Sequence, residues 1–371
     1  MSAATSSSGR ASVPPRGGYP DSPPPSFPPP GTPYRSKGKL KPRWGRIALL
    51  AGLAVLVIAI ITGISLYGYA SNLDKDLKRT DAFSTLTANR PGKAVEGATN
   101  ILLVGSDSRD PDAKEDQANA WRADTLILMH VPEDGKSAQL ISIPRDLWVT
   151  IPKTNSAACT DGSRAKINAA FAFGGIPRAV HTVECLSNVH IDHVMAIDFG
   201  GFREVTNALG GVDLYVDKTI TSIHKPHRVF KKGMMHMDGN QALDWVRQRY
   251  QFPRGDFDRQ RHQQEFLKAL MQKATTSGTI TNPGKLNEFL KAITAAVTAD
   301  QDFSLTDAAV QFRDIRGDKM TFLTSPNKGS DTIAGQSVVV QDHDKADALY
   351  KAVADDKMQA WMSANPQKPT N

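Results

Sequence analysis

The sequence predicts an α/β fold, an α-β-α sandwich with a central mixed sheet flanked by helices. Three observations carry that expectation. Apolar, β-branched runs such as "TNILLVGSDSR", "RADTLILMHV" and "SAQLISIPRDLWVTIP" recur without polar alternation, the pattern of strands covered on both faces. Segments with helical apolar spacing lie between and after them, and such helices bury their apolar stripes by packing on a sheet. Charged residues gather where the apolar runs end, the edge at which open α/β sheets bind ligands.

Residues 1–46 precede that fold. They hold eleven of the 23 prolines and eight Lys/Arg against one Asp, so a disordered basic cytoplasmic tail is expected. The other residues carry 37 charges of each sign. The overall +7 therefore belongs to the tail, and the folded part offers no electrostatic basis for nucleic-acid binding. Residues 47–69, "IALLAGLAVLVIAIITGISLYGY", contain no charge, and at about 1.5 Å per residue they cross an apolar core of roughly 30 Å. Basic residues and Trp44 lie before this transmembrane helix; Asp74, Lys75, Asp76 and Lys78 balance one another after it. The positive-inside rule then predicts a single-pass plasma-membrane protein with a cytoplasmic N-terminus and an extracellular domain. The two cysteines, Cys159 and Cys185, fall in that outer part without metal-ligand spacing, and a disulfide is expected there.

Residues 70–97 read as a stalk or linker, helical and polar at first, 98–362 as the folded outer domain, and 363–371 as a polar tail. After the three apolar strands, "KINAAFAFGG" and "IPRAVHTVECLSN" read as helices, "VHIDHVMAIDF" and "GGVDLYV" as strands. "GNQALDWVRQR", "DRQRHQQEFLKALMQKATT", "PGKLNEFLKAITAAVTAD" and "SLTDAAVQFRDI" are further helices. "KMTFLTS" and "QSVVVQD" are closing strands, and a last helix runs near 344–362.

The chemistry sits at strand ends. Asp107 and Arg109 follow the first strand, Arg122 and Asp124 open the second, and Arg145-Asp146 follow the third. Carboxylates there suit Mg²⁺ (or Mn²⁺), which takes oxygen ligands, and arginines supply forked donors for phosphate oxygens. "WVRQRYQFPRGDFDRQRHQQ", residues 245–264, adds a dense basic stretch. Arg247 and Arg249 diverge by about 200° on a regular helix. A break at Phe252-Pro253-Arg254-Gly255 is expected to let both reach one ligand and to fold this corner over the sheet edge. There is no P-loop, nucleophile elbow or HExxH motif.

In this order, "NILLVGSDSR", "RADTLILMHV", "LISIPRDLWVTIP", "KINAAFAFGG", "GGVDLYV" and "QALDWVRQRYQFPRGDFDRQRHQQEFLKAL" resemble the LytR-CpsA-Psr family of membrane-anchored cell-wall ligases, over roughly residues 99–275. The resemblance implies binding of a polyprenyl-linked (pyro)phosphate and transfer of its glycopolymer to peptidoglycan, as a phosphodiester to the muramic acid 6-hydroxyl. It implies Asp107 and Asp124 as metal ligands and Arg109, Arg122, Arg145, Lys166, Arg247, Arg249 and Arg259 as pyrophosphate contacts. Arg145, Arg247 and Arg249 would stabilise the transition state, and Asp256 would serve as base. Ile167, Phe171, Phe173, Val205, Leu209, Phe266 and Leu270 are candidates for a lipid tunnel and equally for ordinary core. The pattern departs at His262, where the family carries arginine. Teichoic acid, teichuronic acid, capsule and arabinogalactan share this head-group chemistry. A non-catalytic polyprenyl-phosphate-binding scaffold and a polyprenyl pyrophosphatase are the alternative readings.

Overall fold

A computed structural model describes residues 75–366, except 87–89, 107–122, 154–155, 157, 277, 280–281, 312–313 and 316. The tail 1–46, the span 47–69, and Asp107, Arg109 and Arg122 lie outside the described residues. In chain order the elements are β1 (Lys78–Thr80), β2 (Thr99–Ser106), β3 (Ala123–Val131), β4 (Ala138–Ile143), β5 (Trp148–Pro152), β6 (Gly162–Lys166), α1 (Ala169–Ser187) and β7 (His193–Ile197). Then come α2 (Phe199–Ala208), β8 (Val212–Val216), β9 (Ile220–Thr221), β10 (Val229–Phe230), β11 (Gly233–Met237), α3 (Gly239–Trp245), α4 (Asp256–Thr276) and α5 (Pro283–Ala296). The chain closes with β12 (Val297–Asp300), α6 (Leu305–Gln311), β13 (Met320–Thr324), β14 (Asn327–Ile333), β15 (Gln336–Gln341), α7 (His343–Ala354) and α8 (Met358–Ala364).

The unbroken apolar runs become inner strands because both of their faces are covered. Seven strands form one mixed sheet in the order β1-β12-β7-β2-β3-β4-β13. Strand alternation sends Ile101, Leu103, Ile127 and Met129 into a core shared with Phe202 of α2, Trp245 of α3, Phe266 of α4 and Phe289 of α5. Leu102, Val104, Leu126 and Leu128 point the other way, into a second core with Val180 and Val183 of α1 and Leu349 and Tyr350 of α7. Each fully buried side chain of this size contributes roughly 1.5–3 kcal/mol. The predicted sandwich with a mixed central sheet is therefore the observed architecture.

Several expectations need correction. Part of the segment read as a stalk belongs to the fold: β1 pairs in parallel with β12, and Leu77 and Ala82 are buried. Three residues are too few to show a strand period. The helix expected over "PGKLNEFLKAITAAVTAD" stops at Ala296, and β-branched Val297 and Thr298 begin β12, antiparallel to β7. The polar hairpin β14–β15 and the strand β6 carry little apolar patterning, so β14 and β6 escaped the sequence reading. His190 and Asp192 precede β7 instead of lying within it. The last helix is two, α7 and α8, parted where Asp356 adopts a positive φ of 54°. The two helices expected over 166–188 are two pieces kinked at Gly174–Gly175, beginning at Ala169, so Lys166 is on a strand.

The stretch that positions the site is α3, a turn, and α4. Asp238 and Gln241 form a capping box that starts α3, worth about 1 kcal/mol. Pro253 disfavours helix at Phe252, and Gly255, at φ +52°, turns the chain into α4. Phe252 is buried edge-on against Trp245, with ring centroids 5.8 Å apart, and Phe202 stacks on Phe266 at 4.5 Å. The expected Cys159–Cys185 disulfide is present, tying the loop after β5 to α1.

Candidate active site

The register brings three strand ends to one edge. Gly105 of β2 pairs with Ile197 of β7, and Leu126 of β3 with Ile143 of β4, so Asp124 and Arg145 emerge side by side. Arg145 Nη1 donates to Asp124 Oδ1 at 2.6 Å, and both residues are nearly inaccessible. Arg145 Nε lies 3.5 Å from Asp256 Oδ1 and 3.7 Å from Asp146 Oδ2. Burial works against the charge of Arg145, but Asp256, Asp124 and Asp146 outweigh it and raise its pKa. The α3–α4 corner folds back over this edge as expected.

Asp256, at the start of α4, is the hub. Its Oδ1 is 2.9 Å from Arg259 Nη2 and 3.7 Å from Arg249 Nη1, and Gln260 Nε2 donates to Oδ2 at 3.3 Å. Burial would push its carboxyl up, but Arg259, Arg145 and Arg249 hold it below the usual carboxylate range. A carboxylate so held is a weaker proton acceptor than a free one. Its physical effect is to gather three guanidinium groups that would otherwise repel. Arg259 is 1% exposed, and burial together with Arg145 brings its pKa down to about 10, so it stays charged at neutral pH. Its Nε and Nη1 are buried without hydrogen-bond partners among the described residues.

Two members reach toward solvent. Lys166 Nζ is 3.2 Å from Asp146 Oδ1, which links it through Asp146 to Arg145. Arg249 lies over the Tyr250 ring, 4.4 Å from its centroid, and donates to its hydroxyl. Arg247 takes another direction. Its guanidinium sits over Phe199, 4.9 Å from the ring centroid, just beyond the end of β7. Of the two turn arginines, Arg247 packs on Phe199 and Arg249 faces Asp256.

Sequence reasoning passed over Asp146 as a site residue and missed the two glutamines. Thr125 Oγ1 donates to Gln263 Oε1 at 3.4 Å. Gln264 Nε2 donates to Ser142 Oγ at 3.0 Å and Leu323 O at 3.3 Å. They fasten α4 to β3, β4 and β13, and so fix where Asp256 and Arg259 stand. The signal was the Gln-Gln ending of the last motif, whose role only the register reveals.

His262 is not at this edge. It is fully buried between Trp245 and Phe252, at centroid distances of 4.5 and 4.6 Å. Burial, aided by Arg261, pushes its pKa down to about 4. Arg261 does not stand in for the missing arginine either: it binds Glu265 at 2.7 Å and Asp217 at 2.8 Å. The proposed tunnel residues divide between the two cores, with Val205, Leu209, Phe266 and Leu270 on one face of the sheet and Ile167 and Phe171 on the other. Phe173 is 54% exposed. Among the described residues, the cluster with metal-ligand spacing is Cys159, His181 and Cys185, and its two sulfurs are bonded to each other.

Fold and edge define an α/β domain with a buried guanidinium cluster gathered around one carboxylate. Residues 60–355 match the LytR_cpsA_psr family, and the chain belongs to it. It is 30% identical to "Cell wall biosynthesis protein LcpA" of Corynebacterium glutamicum over 82% of this chain, and spans 62% of that protein's length. It is 33% identical to "Polyisoprenyl-teichoic acid–peptidoglycan teichoic acid transferase TagU" of Bacillus cereus, over 68% of this chain and 80% of TagU. The crystal structure of Bacillus subtilis TagV superimposes with a TM-score of 0.58 at 27% identity, covering 71% of this chain and 97% of TagV.

Proposed function

We propose that this chain is a phosphotransferase of cell-wall biogenesis. It moves a glycopolymer from a polyprenyl-pyrophosphate carrier to peptidoglycan. The observation that carries the reading is the convergence of Arg145, Arg249 and Arg259 on one sheet edge, held together by Asp256 beside the buried Asp124. The names of TagU and LcpA support the direction of transfer and the cell-wall setting. In the step envisaged, a muramic acid 6-hydroxyl oxygen bonds to the sugar-side phosphorus. The bond from that phosphorus to the bridging oxygen breaks, polyprenyl phosphate leaves with the electron pair, and the hydroxyl proton passes to solvent.

Arg249 and Lys166, the more exposed cations, meet the phosphates first. Arg145 and Arg259 stabilise charge from below, where exclusion of water makes them most effective. Arg247 serves the β7 side of the same edge. Asp256 positions the arginines. Asp124 offers a buried carboxylate, the hard oxygen donor that Mg²⁺ or Mn²⁺ prefers, so it fits the metal with Asp107 as its companion. The bound ion would screen the pyrophosphate charge. Arg109 and Arg122 belong to the same reading through their places in the motifs. We place the chain in the plasma membrane by residues 47–69, with the folded domain outside; no helix among the described residues is long and apolar enough to cross a membrane.

The test uses the full chain in detergent or vesicles with a polyprenyl-pyrophosphoryl oligosaccharide and a peptidoglycan oligomer, with Mg²⁺ or EDTA, followed by mass spectrometry. A glycan-phosphate adduct on the oligomer supports the proposal. Release of polyprenyl phosphate to water alone makes the chain a pyrophosphatase. Binding without turnover makes it a scaffold.

A further inference from the structure

Residues 212–237 form an arm of nested hairpins. β8 pairs with β11, and inside them β9 pairs with β10. Three large apolar side chains stand out from it: Tyr215 is 54% exposed, Val229 53% and Met234 66%. Tyr215 and Met234 are direct cross-strand partners and share a face. Lys218, Lys225, Lys231 and Lys232 belong to the same arm, all exposed, with the Lys218 ammonium turned to Gln251 O. From 212 to 237 the acidic residues are Asp217, which Arg261 engages, and Asp213, which lies 2.8 Å from His236 Nδ1. Lys232 N donates to Thr219 Oγ1 at 3.0 Å, which brings the lysines of the two sides of the arm together.

We propose that this arm is a contact surface for an anionic lipid bilayer. The inference rests on the anchored topology proposed above. Residues 70–77 separate the span from β1, and fully extended they reach at most about 29 Å, so the folded domain stays near the head groups. Lysines bind anionic head groups, while an exposed tyrosine and its apolar neighbours suit the boundary beneath them. A soluble polyanion would use the lysines but gain nothing from the exposed Val229 and Met234. The arm also rests on the arginine-bearing turn: Gln251 Nε2 donates to Thr221 O at 3.1 Å, and Lys218 lies over Phe252 at 5.1 Å. Docking of the arm therefore orients Arg247 and Arg249 relative to a lipid-borne substrate.

The experiment labels Met234→Cys in the full chain with an environment-sensitive fluorophore, the native cysteines being bonded to each other. Asp331→Cys on the exposed hairpin β14–β15 is the control. Both are reconstituted in phosphatidylcholine vesicles with or without about one-third phosphatidylglycerol. The expected result is blue-shifted emission at position 234 only, with phosphatidylglycerol only, and lost in high salt. Lys231→Glu with Lys232→Glu lowers the ratio of contacting to free label by roughly thirtyfold or more. Equal response of both labels, no dependence on phosphatidylglycerol, or a response to soluble polyglutamate in place of vesicles each overturns the proposal. Flotation after an alkaline wash reads the anchor separately. If the chain does not float, the topology is wrong, and the label still reports whether the arm meets added vesicles.

Discussion

Replacing His262 with Phe changes the acid stability of the domain by an amount the structure allows one to work out. The imidazole is fully buried between Trp245 and Phe252, and its Nδ1 has no hydrogen-bond partner among the described residues. Its folded pKa of about 4 lies below the ordinary 6.5. Above pH 6.5 the ring is neutral in folded and unfolded chains, and stability does not depend on it. As the pH falls from 6.5 toward 4, the unfolded chain takes up a proton that the folded chain refuses, so stability is lost. The gap between the two values, at about 1.4 kcal/mol per pH unit, gives a loss of about 3 kcal/mol. Phe preserves the stacking and removes the proton. Denaturant titrations of both proteins between pH 7.5 and about 4 are followed by tryptophan fluorescence. The expected difference curve is flat above pH 6.5 and then rises in favour of the variant by about 3 kcal/mol. Arg261, Asp217, Asp258 and Arg254 also act on this ring and remain in both proteins, so their effects largely cancel. Parallel curves would refute the reasoning.

Other outcomes follow from the same geometry. Arg249→Ala removes one long ion pair and an exposed contact with Tyr250, so stability should change by less than about 1 kcal/mol while transfer falls by about 100-fold or more, read by adduct formation. Asp256→Asn leaves Arg145, Arg249 and Arg259 without their shared anion and should cost about 3–5 kcal/mol by denaturation, a loss that added pyrophosphate partly restores. Removing the Cys159–Cys185 bond, which closes a 26-residue separation, should cost about 3.5 kcal/mol of unfolding free energy, measured with and without reductant. Gln264→Ala frees α4 from Ser142 and Leu323; transfer should fall more than binding of polyprenyl phosphate, whereas equal losses would argue against a positioning role.

The sequence made the central strands readable because β2, β3 and β4 are covered on both faces and so carry consecutive apolar residues at their centres. It made Arg145, Asp124, Arg249 and Arg259 readable as a group because they flank strand and helix ends. It hid β1 and β12, whose few residues are recruited by pairing partners far along the chain. It also hid the direction of each turn side chain. Arg247 and Arg249 are equivalent in the sequence, yet one meets Phe199 and the other Asp256. The fate of His262 was equally hidden: its site is set by Trp245 and Phe252, which only the bent corner brings together.

The order of the sheet also bears on when this domain is able to fold. β1 pairs with β12, about 220 residues later, and β4 with β13, about 180 residues later, so both flanks of the sheet wait for the C-terminal third of the chain. The His130 ring, buried beside β2, waits longer still for the Asp356 carboxylate, 3.0 Å away. Translation at about 5–20 residues per second delivers those partners many seconds after β2 and β3 have emerged. A nascent chain arrested before residue 297 should be cut throughout by protease, and one carried past residue 356 should resist.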